Sequence, residues 1–153
     1  MLALPLALLL FAAPGDATPR TPAPSVYVSP LPDFQKHLGK RPKDSGLFRE
    51  KALEVRLQNL LGTRYETFLA NSESGTLKRD GALVTLIGSR PGTDNEAAVL
   101  VAWPAKDALT VYLYSKGTVE EHREKPNLFI PPSRDILLTM QKWIPQAPTP
   151  APK

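Results

Sequence analysis

Residues 76–123 read TLKRDGALVTLIGSRPGTDNEAAVLVAWPAKDALTVYLYSKGTVEEHR. Turn pairs at Asp80-Gly81, Lys106-Asp107 and Lys116-Gly117 cut this stretch into short runs rich in β-branched and aromatic residues. That punctuation gives strands joined by hairpins. The expected strands are Thr76–Arg79, Ala82–Ile87, Glu96–Trp103, Ala108–Tyr114 and Thr118–Arg123. Asp80-Gly81 is a type I′ hairpin signal. Glu96–Trp103 is almost continuously apolar, which predicts a central strand, and Pro104 ends it because proline lacks a ladder donor. Thr118–Arg123 is polar and reads as an edge. Five strands with short connections predict an antiparallel meander.

Helical patterns flank the strands. Asp44 or Ser45 can cap a helix in which Leu53, Leu57, Leu60 and Leu61 recur at helical spacing, with Gly62 as its stop. Thr63 can cap a second helix with Tyr65, Phe68 and Leu69 on its apolar face. Residues 71–75 read as a loop. After a proline-punctuated crossing over 124–132, Ser133 can cap a last helix, 134–144, with Ile136, Met140, Trp143 and Ile144 on one stripe. Two N-terminal helices, a five-stranded antiparallel sheet and one C-terminal helix make the α+β class.

Outside this unit the composition changes. Twelve of the 17 prolines lie in residues 1–42 or 145–153. Proline-rich chain favours extended, solvated polyproline II. The division is therefore a basic arm at 18–42, a domain at 43–144 and a tail at 145–153. Before the arm, Leu2–Ala13 is a twelve-residue apolar run followed by Pro14, Gly15, Asp16 and Ala17. This fits an export signal over 1–17 cut after Ala17, and it is too short for a spanning helix. The expectation is a periplasmic protein without stable membrane insertion.

The domain carries 14 basic and 13 acidic residues, so the basic character belongs mostly to the arm. A nucleic-acid domain places a basic stripe on its folded core, so nucleic acid is not the expected partner. There is no cysteine, and the two histidines are His37 and His122. That excludes disulfides, thiolate sites and a three-histidine metal site. His122 stands among Glu120, Glu121 and Glu124 with no nucleophile elbow, and reads as a solvated edge-strand residue. His37 falls in the arm, where pre-organisation is not expected. Asp94 and Glu96 are the carboxylates open to an acid–base role, but they flank an exposed loop. No catalytic residue, metal or cofactor is assigned.

The unusual segment is Gly88–Asn95. It places two glycines, a proline, Arg90 and Asp94 between apolar strands where two residues would close a hairpin. A protruding loop on a rigid scaffold can enter a concave partner. Arg90 could there pair with a carboxylate through its planar fork. The candidate partner-binding residues are Ser89, Arg90, Pro91, Gly92, Thr93 and Asp94.

The stretch RDGALVTLIGSRPGTDNEAAVLVAWPAKDALTVYLYSKG, residues 79–117, resembles the inhibitors of vertebrate lysozyme, the Ivy family. LLGTRYETFLANSESGTL, residues 60–77, is similar to the family's helical lead-in. The resemblance spans Leu53–Gly117, and the final helix continues it. It implies a small periplasmic α+β protein whose loop, of the type Cys-Lys-Pro-His-Asp-Cys, inserts into the active-site cleft of lysozyme. Here Ser89 and Asp94 stand near the two cysteine positions, Arg90 keeps the cation, Pro91 matches and Gly92 replaces the histidine. The implied partner is a lysozyme-like glycoside hydrolase that cleaves peptidoglycan. Two alternatives stay open: an immunity protein against a bacterial cell-wall-degrading effector, and a diverged binding protein of the same fold that does not inhibit lysozyme. The mature chain would hold 19 basic against 14 acidic residues, so an acidic target suits it better than a basic one.

Overall fold

The computed structural model describes residues 29–143. The expected signal at 1–17, the arm before residue 29, Ile144 and the tail at 145–153 lie outside the described residues.

Five strands pair in sequence order, all antiparallel: β1 (Thr76–Asp80), β2 (Leu83–Ser89), β3 (Glu96–Trp103), β4 (Ala108–Ser115) and β5 (Thr118–Arg123). The meander read from the turn pairs is the sheet observed, and the protein is α+β. The first hairpin differs in detail. Gly81 has φ +59° while Ala82 is not at positive φ, which is the type II′ pattern rather than type I′. At the last hairpin both Lys116 and Gly117 have positive φ, and the turn is type I′.

The helical segments are α1 (Pro42–Ser45), α2 (Lys51–Leu61), α3 (Tyr65–Asn71) and α4 (Arg134–Trp143). Asp44 and Ser45 do not cap the leucine-bearing helix. They lie in the short α1, which stops at left-handed Gly46, and α2 starts after Glu50. Thr63 is not a cap either, because a 3-10 turn over Gly62–Arg64 leads into α3. The Ser133 hydroxyl does meet the Ile136 amide of α4, at 3.4 Å.

Helices cover both faces of the sheet, and this explains the continuous apolar runs of β3 and β4. On one face Leu53, Leu57, Leu61, Tyr65 and Phe68 pack on Leu77, Leu86, Leu100, Val111 and Leu113. On the other, Ile136, Met140 and Trp143 of α4, with Leu128 and Ile130 of the crossing, pack on Val99, Val101, Ala108 and Tyr112. Trp143 stacks on Tyr114 with ring centroids 5.2 Å apart.

Residues 29–42, read from the sequence as the last part of the arm, lie against the first face. Phe34 is buried there, and Leu31 and Leu38 pack beside it. The backbone of residues 39–40 bonds Leu77 of β1 in both directions, at 2.8 and 3.1 Å. His37 is also buried, at 2% exposure, with Nε2 3.4 Å from Glu50 Oε1. It is therefore fixed in place, contrary to the sequence reading, because Phe34 and the β1 contacts anchor its turn.

Arg56 of α2 is the polar fastener of this side. Its side chain is 2% exposed. All five of its N–H groups are used: Nε and Nη2 donate to the two Glu124 oxygens (2.8 and 2.5 Å), Nη1 to Asp107 Oδ1 (2.6 Å) and the Ser29 carbonyl (3.1 Å), and Nη2 also to the Asp107 carbonyl (3.0 Å). A buried guanidinium is tolerable only when saturated in this way. Burial works to lower the Arg56 pKa, but the two carboxylates outweigh it and hold it above the ordinary arginine value. For Asp107, burial acts to raise the carboxyl pKa. Hydrogen bonds from Arg56 and from the Leu31 amide (2.9 Å) overcome that and hold it low.

Candidate functional site

Gly88 and Ser89 belong to β2, paired with Ala98 and Ala97, so the loop is shorter than the expected 88–95 and covers residues 90–95. Gly88 is there for a close approach: a Cβ on it would sit 2.7 Å from the Ser72 Cα, where the end of α3 crosses the sheet. This contact seats the base of the loop on the helix layer. The Ser74 hydroxyl accepts from the Ser89 amide at 2.8 Å and meets the Ser89 hydroxyl at 3.0 Å.

Beyond this base, the Arg90 amide donates to the Glu96 carbonyl at 3.0 Å. Residues 90–93 then form a tight turn closed by Thr93 N–H to Arg90 C=O at 3.3 Å. Proline at the second position and Gly92 at φ +80° at the third are the type II pattern, which needs a glycine-like residue at the third. Pro91, Gly92, Thr93, Asp94 and Asn95 are all exposed. The tip is thus a hydrogen-bonded, solvent-facing turn.

The structure brings Arg90 together with Glu96. Arg90 Nη1 lies 2.7 Å from Glu96 Oε2; the guanidinium is 41% exposed and the carboxylate 19%. The buried Asn71 side chain backs the pair. In the orientation that satisfies its surroundings, its amide donates to Glu96 Oε2 at 3.2 Å and to the Thr67 carbonyl at 3.3 Å. Glu96 is therefore an anchor for Arg90 rather than an acid–base group, and Asp94 stands apart on the exposed loop. The neighbouring β4–β5 turn joins the assembly, because the Lys116 amide donates to the Asn95 carbonyl at 3.0 Å.

His122 lies on β5 with Nε2 3.4 Å from Glu120 Oε2, and Glu120 in turn accepts from Nε and Nη2 of Arg64. This is a surface ion network between α3's lead-in and the sheet edge. Burial, with the Glu121 charge adding, pushes the Tyr112 hydroxyl up to about 12, so it stays protonated at neutral pH. Among the described residues, no group of three or more His, Asp or Glu is placed to hold a metal ion. A groove of about 540 Å³ lies on the helix layer, lined by Phe48, Tyr65, Leu69 and Ala70 with Glu54 and Glu66 beside them. It includes none of the loop residues. Among the described residues, no helix is long and apolar enough to cross a membrane.

The loop that the sequence resemblance singles out is thus an exposed turn between β2 and β3 of an α+β scaffold. The sequence pattern of the family described as inhibitor of vertebrate lysozyme (Ivy) matches residues 52–146. The chain belongs to the Ivy family. The match runs from α2 through the whole sheet and α4, so it includes the loop, its Asn71–Glu96 backing and the β4–β5 turn. The family is one of inhibitors rather than enzymes. A curated protein from Bradyrhizobium diazoefficiens, titled cysteine desulfurase, is 30% identical over 108 residues, covering 67% of this chain and 27% of that protein. This chain therefore spans about a quarter of that relative's length. No solved structure gives a significant match.

Proposed function

We propose that this Ivy-family protein is exported to the periplasm and inhibits a lysozyme-type peptidoglycan hydrolase by inserting the loop Ser89–Asp94 into its active-site cleft. The observation that carries this reading is the exposed type II turn at Pro91-Gly92-Thr93 on a chain whose family is one of lysozyme inhibitors. Glycan-cleaving sites are clefts holding a pair of carboxylates. A narrow loop fills such a cleft and keeps polysaccharide out.

Hydrogen bonds hold the base of the loop where the resemblance would place a crosslink. The type II turn, the Arg90–Glu96 pair, the Asn71 amide and the Ser74–Ser89 contact fix its base. Pre-organisation lowers the ordering cost of binding. In the resemblance a disulfide does this work; here neutral and charged hydrogen bonds stand in its place. With glycine where the family loop has histidine, the plug acts mainly by shape. The desulfurase match adds nothing to this reading, since it covers 27% of that protein and this chain has no cysteine.

The test is protection of a cell-wall suspension against lysis by vertebrate C-type lysozyme and, in parallel, by bacterial lysozyme-like hydrolases. Dose-dependent protection supports the reading. Protection against one bacterial hydrolase alone moves it to an immunity protein. The basic charge of the mature chain favours an acidic target of that kind. Protection against none refutes inhibition.

A further inference from the structure

We propose that Lys116, on the β4–β5 turn, is the cation this protein presents to a carboxylate of its hydrolase partner. The inference rests on the inhibitor reading above and extends the binding surface beyond the loop.

The first ground is that Arg90 is already engaged. Its guanidinium lies 2.7 Å from Glu96 Oε2, and Asn71 holds that carboxylate in place. That internal carboxylate, held by a buried amide, offsets the Arg90 charge and weakens its pull on a partner carboxylate. Arg90 serves the loop's shape, and its charge is neutralised from within.

The second ground is position. The Lys116 amide bonds the Asn95 carbonyl, one step beyond the Glu96–Ser115 pair at the end of the β3–β4 ladder. The turn therefore stands beside the loop, and anything that receives the loop meets the turn. Lys116 is exposed, and among the described residues its ammonium takes part in no ion pair. Asp94 is the exposed carboxylate of the same loop, and it too lies outside every such pair.

The third ground is backbone geometry. Lys116 has φ +48°, in the left-handed region that lysine disfavours and that asparagine or glycine accepts readily. The other non-glycine residue at positive φ among the described residues, Asp107, has a visible use for its side chain, since it binds Arg56 and the Leu31 amide. Among the described residues Lys116 has no such use. An unfavoured residue on a turn beside a binding loop points to work done by its side chain on another molecule. A lysine ammonium is a compact point charge on a flexible stem, suited to a single carboxylate in a cleft.

The experiment measures inhibition constants and melting temperatures for wild type, Lys116→Asn and Lys116→Arg against whichever hydrolase the wild type inhibits. Lys116→Asn removes the charge while supplying a better turn residue. The expected result is an inhibition constant raised roughly tenfold to a hundredfold, with a melting temperature equal to or above wild type. Lys116→Arg is expected to stay within about threefold of wild type. Lys116→Asn inhibiting like wild type overturns the proposal and leaves the inhibitor reading standing. A Lys116→Asn that loses inhibition only in step with a lower melting temperature also overturns it, because that is what a structural role would give. A wild type that inhibits nothing refutes the inhibitor reading, and this inference falls with it.

Discussion

Replacing Arg56 with methionine removes five hydrogen bonds at once while keeping most of the side-chain volume. What remains is a half-buried Glu124 carboxylate (18% exposed), a more open Asp107 carboxylate (47% exposed) and the carbonyls of Ser29 and Asp107. Breaking a buried ion pair by deleting one partner costs about 3–5 kcal/mol. Asp107 is exposed enough to rehydrate, and an exposed pair contributes little. The cost therefore falls on Glu124 and the two carbonyls, at the low end, about 3 kcal/mol. For a domain of little over a hundred residues, each kcal/mol moves the melting temperature by about 4 °C. Arg56→Met is expected to melt about 12 °C below wild type at neutral pH, read by circular dichroism or calorimetry. Adding Glu124→Gln removes the stranded charge, so the double variant should recover a large part of the loss. A single variant melting within about 3 °C of wild type would refute the reasoning, because it would mean that water or a rearranged side chain satisfies Glu124 freely.

Three further outcomes follow from the same geometry. Gly88→Ala puts a Cβ 2.7 Å from the Ser72 Cα, backbone against backbone, so it should lower stability by about 2 kcal/mol or more and weaken inhibition by displacing the loop base; a melting curve matching wild type would show that the two segments part easily. Gly92→Ala places a side chain at φ +80°, which should cost about 1 kcal/mol and reshape the tip. Inhibition should then fall more than the melting temperature does, and an unchanged inhibition constant would remove the type II tip from the account. The third concerns acid. Asp107 has a folded-state pKa below its unfolded value of about 3.9. Its contribution is complete above that value and is lost as pH falls through the folded pKa. Wild type should thus lose melting temperature below about pH 4 more steeply than Asp107→Asn does; parallel curves would contradict this.

The sheet was legible because burial on both faces writes itself into the sequence. β3 and β4 are apolar at almost every position, since α2 and α3 cover one side of them and α4 the other. Polar β5 read as an edge, and its limits are those expected. The helix starts were less legible. Asp44 and Ser45 have the chemistry of caps, but Gly46 at φ +70° breaks the chain before α2, and nothing local distinguishes that stop from a continuing helix. The packing of residues 29–42 was hidden behind prolines that suggested a solvated arm, because Phe34, Leu38 and His37 are too sparse to form a periodic pattern. At the loop, Gly88 read as its first residue, whereas it lies in β2 and answers a crowding that only the fold creates. Arg90 and Glu96 were both noticed, yet their pairing depends on the β2–β3 register, which composition does not encode. Lys116 was read as half of a turn signal. Its place beside Asn95 follows from the register of β3 on β4 and could not be seen from spacing alone.

The central claim is that the Ser89–Asp94 loop occupies the substrate cleft of a lysozyme-type hydrolase. Steady-state kinetics of the inhibited enzyme on a soluble oligosaccharide, at several concentrations of this protein, tests it directly. The account predicts competitive inhibition: KM rises in proportion to inhibitor while kcat holds. Inhibition that lowers kcat at unchanged KM, or that survives replacement of Pro91, Gly92 and Thr93 by a two-residue hairpin turn, would contradict it.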